Sequence, residues 1–298
     1  TVLPSVGALH TLRAMPPGKP NQRTFVGFAD PVFSTEQTQV VAALQVNTGT
    51  TSDNKIGVRG GSIKLRGLIK VEKLEEMANA DLSVLPPLPD TREEVKEIAR
   101  ALQADPDQDV FTGKAATETR VKSLNLSIYR VIAFATHGLI PGDLDGLVQP
   151  ALALSSPEVV GGEEDGLLTM GEVLGLQLNA DWVILSACNT GAGEGAAAEA
   201  ISGLGRAFFY AGARALLVSN WPVETTSARA LTTGLFRKQL ANAKLSRAEA
   251  LRQTMVDLIE GPGYIEPQTG KVAFAYAHPI FWAPFSLIGE GSRTATSH

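Results

Sequence analysis

The chain has 298 residues, 44% of them hydrophobic, and a formal net charge of −5 from 26 Lys and Arg against 31 Asp and Glu. Disorder and collagen-like repetition are excluded, and there is apolar material for a sizeable core. The acidic balance provides no basic field to hold a phosphate backbone or an anionic bilayer, so neither direct nucleic-acid contact nor membrane contact is expected.

A single cysteine, Cys188, cannot close an internal disulfide, and no group of Cys and His has the spacing of a zinc site. The expectation is a reducing, cytoplasmic compartment with no metal and no cofactor. Apolar runs such as Trp182 to Leu185 and Ala215 to Val218 fall far short of the roughly 18 to 20 residues that span a bilayer. The chain opens at Thr1 without an initiator Met or a signal-peptide pattern, which predicts that it is part of a longer protein.

In chain order, Thr24 to Asp30 before Pro31 reads as a short buried strand ended by a turn, with Asp30 as a turn residue. Residues 45 to 65 are polar, Gly-rich and without periodicity, and read as an excursion or mobile loop. After the Pro-rich connector 86–90, Asp90 offers an N-cap with an acidic first turn for a helix whose apolar face carries Val95, Ile98, Ala99 and Leu102. A second helix is predicted over 116–124, and Tyr129 to Ala135 reads as a strand buried on both faces, ending at Thr136-His137-Gly138.

A Gly- and Asp-rich stretch, the apolar segment 151–154 and the run 161–166 suggest a hairpin excursion before a helix over 168–174. Asp181 to Cys188 is another buried strand, 189–195 a Gly-rich loop, and 196–210 an Ala-rich helix closed by Gly212. A third such strand spans Ala213 to Asn220, followed by helices over 225–240 and 246–260 and an apolar tail over 279–289. Repeated strand-helix order predicts an α/β fold with a mostly parallel central sheet covered by helices on both faces.

Ligands of open parallel sheets gather beyond the carboxyl ends of the strands, where His137 and Cys188 each follow an apolar run and precede a glycine within three residues. A thiol with an ordinary pKa of about 8.5 is barely ionised at neutral pH, so a cysteine nucleophile needs a base, and an imidazole can take its proton and later protonate a leaving amine. Taken singly, Cys188 reads as a small buried hydrophobe and His137 as a strand terminator. Together they sit at equivalent strand ends 188 − 137 = 51 residues apart, close to the spacing of base and nucleophile in caspases. The N–H groups of Gly138 and Cys188 could serve as oxyanion donors, and the arrangement suits acyl transfer.

The segments Val131 to Gly138, Ala151 to Ser155, Asp165 to Thr169, Ile184 to Gly191, Ala211 to Arg214, Ser219 to Val223 and His278 to Phe285, in that order, resemble a CHAT domain, a caspase-like family of cysteine peptidases of clan CD. The resemblance extends the domain over 1–290, with 45–65 a poorly matching polar insertion and 291–298 a tail. It implies a three-layer caspase-hemoglobinase fold, a His137–Cys188 dyad, and an oxyanion hole from the N–H groups of Gly138 and Cys188. It also implies cleavage of a protein or peptide substrate through a thioester. Such domains occur often in bacterial proteins whose N-terminal tetratricopeptide repeats or other sensors control them, so a regulatory N-terminal region or activating partner is expected.

The family further suggests that Ser219, Asn220 and Trp221 pair with the substrate backbone as an added strand. Asp143, Asp145, Glu163, Glu164, Asp165 and Glu224 are candidates to receive a basic side chain, although solvated loop charge is the simpler reading of most of them. Gly191 lies three residues past the cysteine instead of two, and Ser186, two before it, is neither acid nor amide. The segments 45–65 and 141–166 are candidates for ordering by a partner.

A dinucleotide fingerprint at Gly191-Ala-Gly-Glu-Gly-Ala196 fails because Ala211 stands where the acidic residue is required. His10, His278 and His298 are isolated and suggest no metal centre. The alternative function is a catalytically silent CHAT-like module that binds or scaffolds proteins.

Overall fold

The computed structural model describes residues 6–15, 18, 21–38, 55–58, 61–64, 81–186, 196–221, 223–265 and 269–292. Helix α1 (Val6–Ala14) precedes strand β1 (Arg23–Ala29), a two-stranded hairpin β2 (Lys55–Val58) and β3 (Gly61–Lys64), helix α2 (Pro89–Ala101) and strand β4 (Val110–Thr112). Next come α3 (Glu118–Ser123), β5 (Tyr129–Ala135), β6 (Gly138–Leu139), β7 (Ala151–Ala153), α4 (Pro157–Val160), β8 (Leu167–Thr169), α5 (Met170–Gly175) and β9 (Trp182–Leu185). The chain continues through α6 (Ala196–Ala211), β10 (Ala215–Ser219), α7 (Thr225–Ala241), α8 (Arg247–Glu260), the short strands β11 (Tyr264–Ile265) and β12 (Val272–Phe274), and β13 (Phe285–Gly289).

The apolar runs at β1, β5, β9 and β10 become the middle of a six-stranded sheet ordered β13-β10-β9-β5-β1-β4. All its neighbours are parallel except β13, which pairs antiparallel with β10 along Ala215 to Ser219. Alternate residues feed two cores. Phe25, Val131, Ala133, Ile184 and Leu217 pack with α2, α7 and α8 on one face. Phe28, Ile132, Phe134, Val183 and Leu216 pack with α3, α5 and α6 on the other. Helices on both faces explain why these strands read as unbroken apolar runs instead of alternating ones.

Close approach of α2 to the sheet depends on Gly27, where a Cβ would sit 2.2 Å from Cγ1 of Val95. Helix α2 begins at Pro89, one residue before the Asp90 N-cap expected from sequence; Leu88 is its N-cap and provides no side-chain cap. Proline preset in φ and lacking an N–H suits the first helical turn, so it starts the helix in place of the aspartate. Past α6, Gly212 adopts a φ of +114° with the Leu178 carbonyl 2.3 Å from where a Cβ would be.

Two regions differ from the sequence reading. The polar stretch 45–65 is more than a loop, because its described portion forms the antiparallel hairpin β2–β3. The excursion over 141–166 contains β7 and α4, and β6, β7 and β8 make a separate three-stranded antiparallel sheet over a third core of Phe33, Leu82, Leu85, Leu139, Leu144 and Leu167. Among the described residues, no helix is long and apolar enough to cross a membrane.

Candidate active site

His137 stands two residues past β5 and is fully buried. Its main chain is fixed first: the Thr136 hydroxyl donates to the Ala153 carbonyl, and the Ala153 N–H donates to the His137 carbonyl at 2.9 Å. Its ring is fixed by contacts from the segments after β1 and before α2. Phe33 packs against the imidazole with centroids 5.5 Å apart, and Nε2 lies 2.7 Å from the carbonyl oxygen of Pro86. A carbonyl can only accept, so in this contact Nε2 carries the proton and Nδ1 presents a lone pair.

Nδ1 is buried and has no hydrogen-bond partner among the described residues. Burial pushes the imidazole pKa down to about 4, against the opposing pull of the Pro86 carbonyl. At neutral pH the imidazole is therefore uncharged, with an Nδ1 lone pair that no described residue fills. That is the form required of a general base.

Gly138 pairs with Leu152, and the bond from the Ala153 N–H to the His137 carbonyl brackets that pair on one side. This pattern makes Gly138–Leu152 a non-hydrogen-bonded pair, so the Gly138 N–H points away from β7 at the free edge of its small sheet. The other candidate oxyanion donor, the N–H of Cys188, lies outside the described residues, as do the Cys188 side chain and the glycine-rich stretch 189–195.

The approach to Cys188 is described as far as Ser186, the first residue past β9. Ser186 donates its N–H to the Phe134 carbonyl at 3.0 Å, tying the exit of β9 to the strand that carries His137. Its hydroxyl lies 3.1 and 3.4 Å from the two carboxylate oxygens of Glu94, on α2. Glu94 is completely buried, a position that the sequence reading of an N-cap and acidic first turn did not single out. One signal for it was available: position 94 falls in phase with Thr91, Ile98 and Ala101 on the buried face of α2.

The segment expected to pair with substrate is partly committed to β13. Ser219 is buried opposite Phe285, and the Asn220 N–H and carboxamide both donate to the Pro284 carbonyl at 2.8 Å, with a further bond to Ser286. Trp221 is 36% exposed. The acidic candidates are mostly bound locally: Asp143 accepts from the Ile140 N–H, Asp165 from the Leu167 N–H, and Glu224 caps α7 through the N–H groups of Thr226 and Ser227. Asp30, in a left-handed conformation at φ 49°, keeps its turn and accepts from Arg92 on α2 at 2.8 Å.

Glu164 joins Glu118 and Glu172 in a cluster whose oxygens lie within 4.8 Å of one another. These carboxylates resemble a cation site, but the Lys122 ammonium already occupies it, at 3.1 Å from Glu118, 2.7 Å from Glu164 and 3.0 Å from Glu172. Burial, with a hydrogen bond to Glu172, pushes Glu118 up to about 8, and Glu118 also accepts from the Gly166 N–H. The cluster pins the 161–166 turn to α3. Nδ1 of His278 accepts from the Ile280 N–H in a local turn.

The CHAT domain family model matches residues 1–290. The chain belongs to the CHAT domain family. This CHAT domain is 29% identical over 233 residues to human tetratricopeptide repeat protein 28 and 28% identical to the mouse protein, covering 68% of the chain in both cases. It spans only 8% and 9% of those two relatives. Among solved structures it is similar to the Arg-specific cysteine proteinase gingipain R, with a TM-score of 0.39 and 12% identity over 68% of this chain and 42% of that one.

Proposed function

We propose that this CHAT domain is a cysteine endopeptidase in which His137 and Cys188 form the catalytic dyad. The observation that carries the reading is the buried imidazole held through Nε2 by the Pro86 carbonyl, with Nδ1 left as an acceptor at the end of the parallel sheet. Support also comes from the strand register: Phe134 is paired with Leu185, and His137 and Cys188 each follow three residues later.

In the proposed reaction Nδ1 takes the thiol proton as Sγ bonds to the scissile carbonyl carbon, and the N–H groups of Gly138 and Cys188 stabilise the oxyanion. The tetrahedral intermediate collapses with cleavage of the C–N bond, and His137 returns its proton to the departing amine. Water, deprotonated by His137, then hydrolyses the thioester. A neutral imidazole suits the first step because an imidazolium has no lone pair to accept a proton.

Ser219 to Trp221 line the substrate path in this reading. With the Asn220 N–H given to Pro284, the peptide in this reading pairs with Trp221, which is 36% exposed. A reducing compartment such as the cytoplasm keeps the Cys188 thiol competent. The names of the mammalian relatives support a further step, that a helical-repeat region governs this domain.

Turnover of an unbiased peptide library by the wild-type chain, Cys188→Ala and His137→Ala at pH 7 to 8 with reductant tests the reading. Cleavage by the wild type alone supports it and reports the P1 preference. Cleavage that survives in Cys188→Ala removes the dyad. Silence from the wild type, repeated with the helical-repeat region present, leaves the silent protein-binding module as the function.

A further inference from the structure

We infer that Glu94 is a positioning residue for the nucleophile, acting through Ser186, and that the segment 86–94 sets the imidazole and the nucleophile strand against each other. This rests on the proposed dyad. At one end of the segment the Pro86 carbonyl holds His137 Nε2 at 2.7 Å. Eight residues on, the Glu94 carboxylate receives the Ser186 hydroxyl, two residues before Cys188. Pro86, Pro87 and Pro89 stiffen the path between the two contacts, because each proline fixes its own φ.

Burial of a carboxylate without hydrogen-bond donors costs several kcal/mol, so a glutamate on the apolar face of α2 has to bind something specific. Its contacts include the Ser186 hydroxyl at the end of β9 and, at 3.3 Å, the Thr232 hydroxyl of α7, whose nearer acceptor is the Ala228 carbonyl at 2.9 Å. An apolar residue at 94 would fill the same space, yet it would leave the Ser186 hydroxyl without this acceptor. Ser186 is meanwhile bound through its N–H to β5, three residues before His137. The strand exit is thus clamped between the base-bearing strand and α2, two residues before Cys188 in the sequence.

Because Cys188 is the chain's only cysteine, its alkylation by iodoacetamide can be followed by intact mass with no substrate required. The second-order rate is measured for the wild type, Glu94→Ala, Glu94→Gln, Ser186→Ala, the double variant and His137→Ala, beside kcat and KM on a library-derived peptide. Misplacing a reacting group by about 1 Å costs as much as 100-fold in rate. The inference therefore expects Glu94→Ala and Ser186→Ala each to slow alkylation and kcat by about tenfold or more, with KM changed by less than about threefold. The double variant should be no slower than either single one, and Glu94→Gln, which retains an acceptor oxygen, should recover most of the rate.

Simple loosening of the fold would give losses that follow each variant's urea midpoint and that add in the double variant. Wild-type rates in folded Glu94→Ala and Ser186→Ala, or losses that add in the double variant, overturn the inference. Where Glu94→Ala fails to fold, Ser186→Ala decides alone, since it removes one hydroxyl. A wild-type alkylation rate in His137→Ala overturns the dyad itself, whereas a slow His137→Ala beside fast Glu94 and Ser186 variants overturns only the positioning role.

Discussion

The Pro86 carbonyl and His137 Nε2 are 2.7 Å apart, and this one contact determines which imidazole nitrogen is protonated. Burial, working against the pull of that carbonyl, pushes the pKa down to about 4 and keeps the ring neutral throughout the physiological range. A pH dependence with a definite sign follows.

Protonating His137 favours the unfolded chain, where the ordinary pKa is about 6.5. Its contribution to stability is fully present above that value and is lost as pH falls from 6.5 through 4, on the order of 3 kcal/mol in total. Urea unfolding of the wild type and His137→Asn at pH 7 and pH 4.5 should reveal a steeper acid loss in the wild type. For the active protein, the acid limb of kcat/KM should lie well below pH 6; a limb at 6.5 would mean that the imidazole is solvated.

Trp221 and Asn220 should separate binding from folding. Trp221→Ala removes a partly exposed ring and should change stability by less than about 1 kcal/mol while raising KM severalfold with little effect on kcat. Asn220→Ala removes the carboxamide bonds to Pro284 and Ser286 and should lower stability by about 1 to 2 kcal/mol through loosening of the β10–β13 edge. Melting temperatures and steady-state kinetics on one peptide check both.

Lys122→Ala should destabilise the protein increasingly as pH rises. Without the ammonium, the carboxylates of Glu118, Glu164 and Glu172 repel one another when ionised, so their folded pKa values rise above the unfolded ones. Stability is then intact below about pH 4.5 and lost as pH climbs towards 8. A urea midpoint that drops more between pH 5 and pH 8 for the variant than for the wild type is the expected result; equal drops would assign the cluster no electrostatic role.

The central strands were legible in the sequence because burial on both faces writes an unbroken apolar run, and His137 follows where one of those runs stops. Strand β4 was not legible, since three residues at a sheet edge carry no period. The hairpin over 55–64 was hidden by polar and glycine-rich composition that resembles a loop. Glu94 drew no reading of its own, because an acidic residue near a helix start ordinarily faces water, and only its phase with Ile98 marks it as buried. The partner of His137 left no trace, because Pro86 contributes a main-chain carbonyl that every residue possesses.

Gly138 is opposite Leu152 at a non-hydrogen-bonded position, and that parity has consequences for how the chain between them can change in length. Insertion or deletion of a single residue over 140–150, if taken up by sliding of β7 along β6, would shift the pairing by one and turn the β7 side chains to the wrong cores, exchanging Ala151 and Ala153 with Leu152 and Leu154. The same slip would move the Ala153 bond away from the His137 carbonyl and could turn the glycine N–H inwards. With Leu144 and Leu147 buried in the third core, the count of residues in this connection is a constraint on how the His137 main chain is held, and length variants should be tolerated in steps set by the ladder and not one residue at a time.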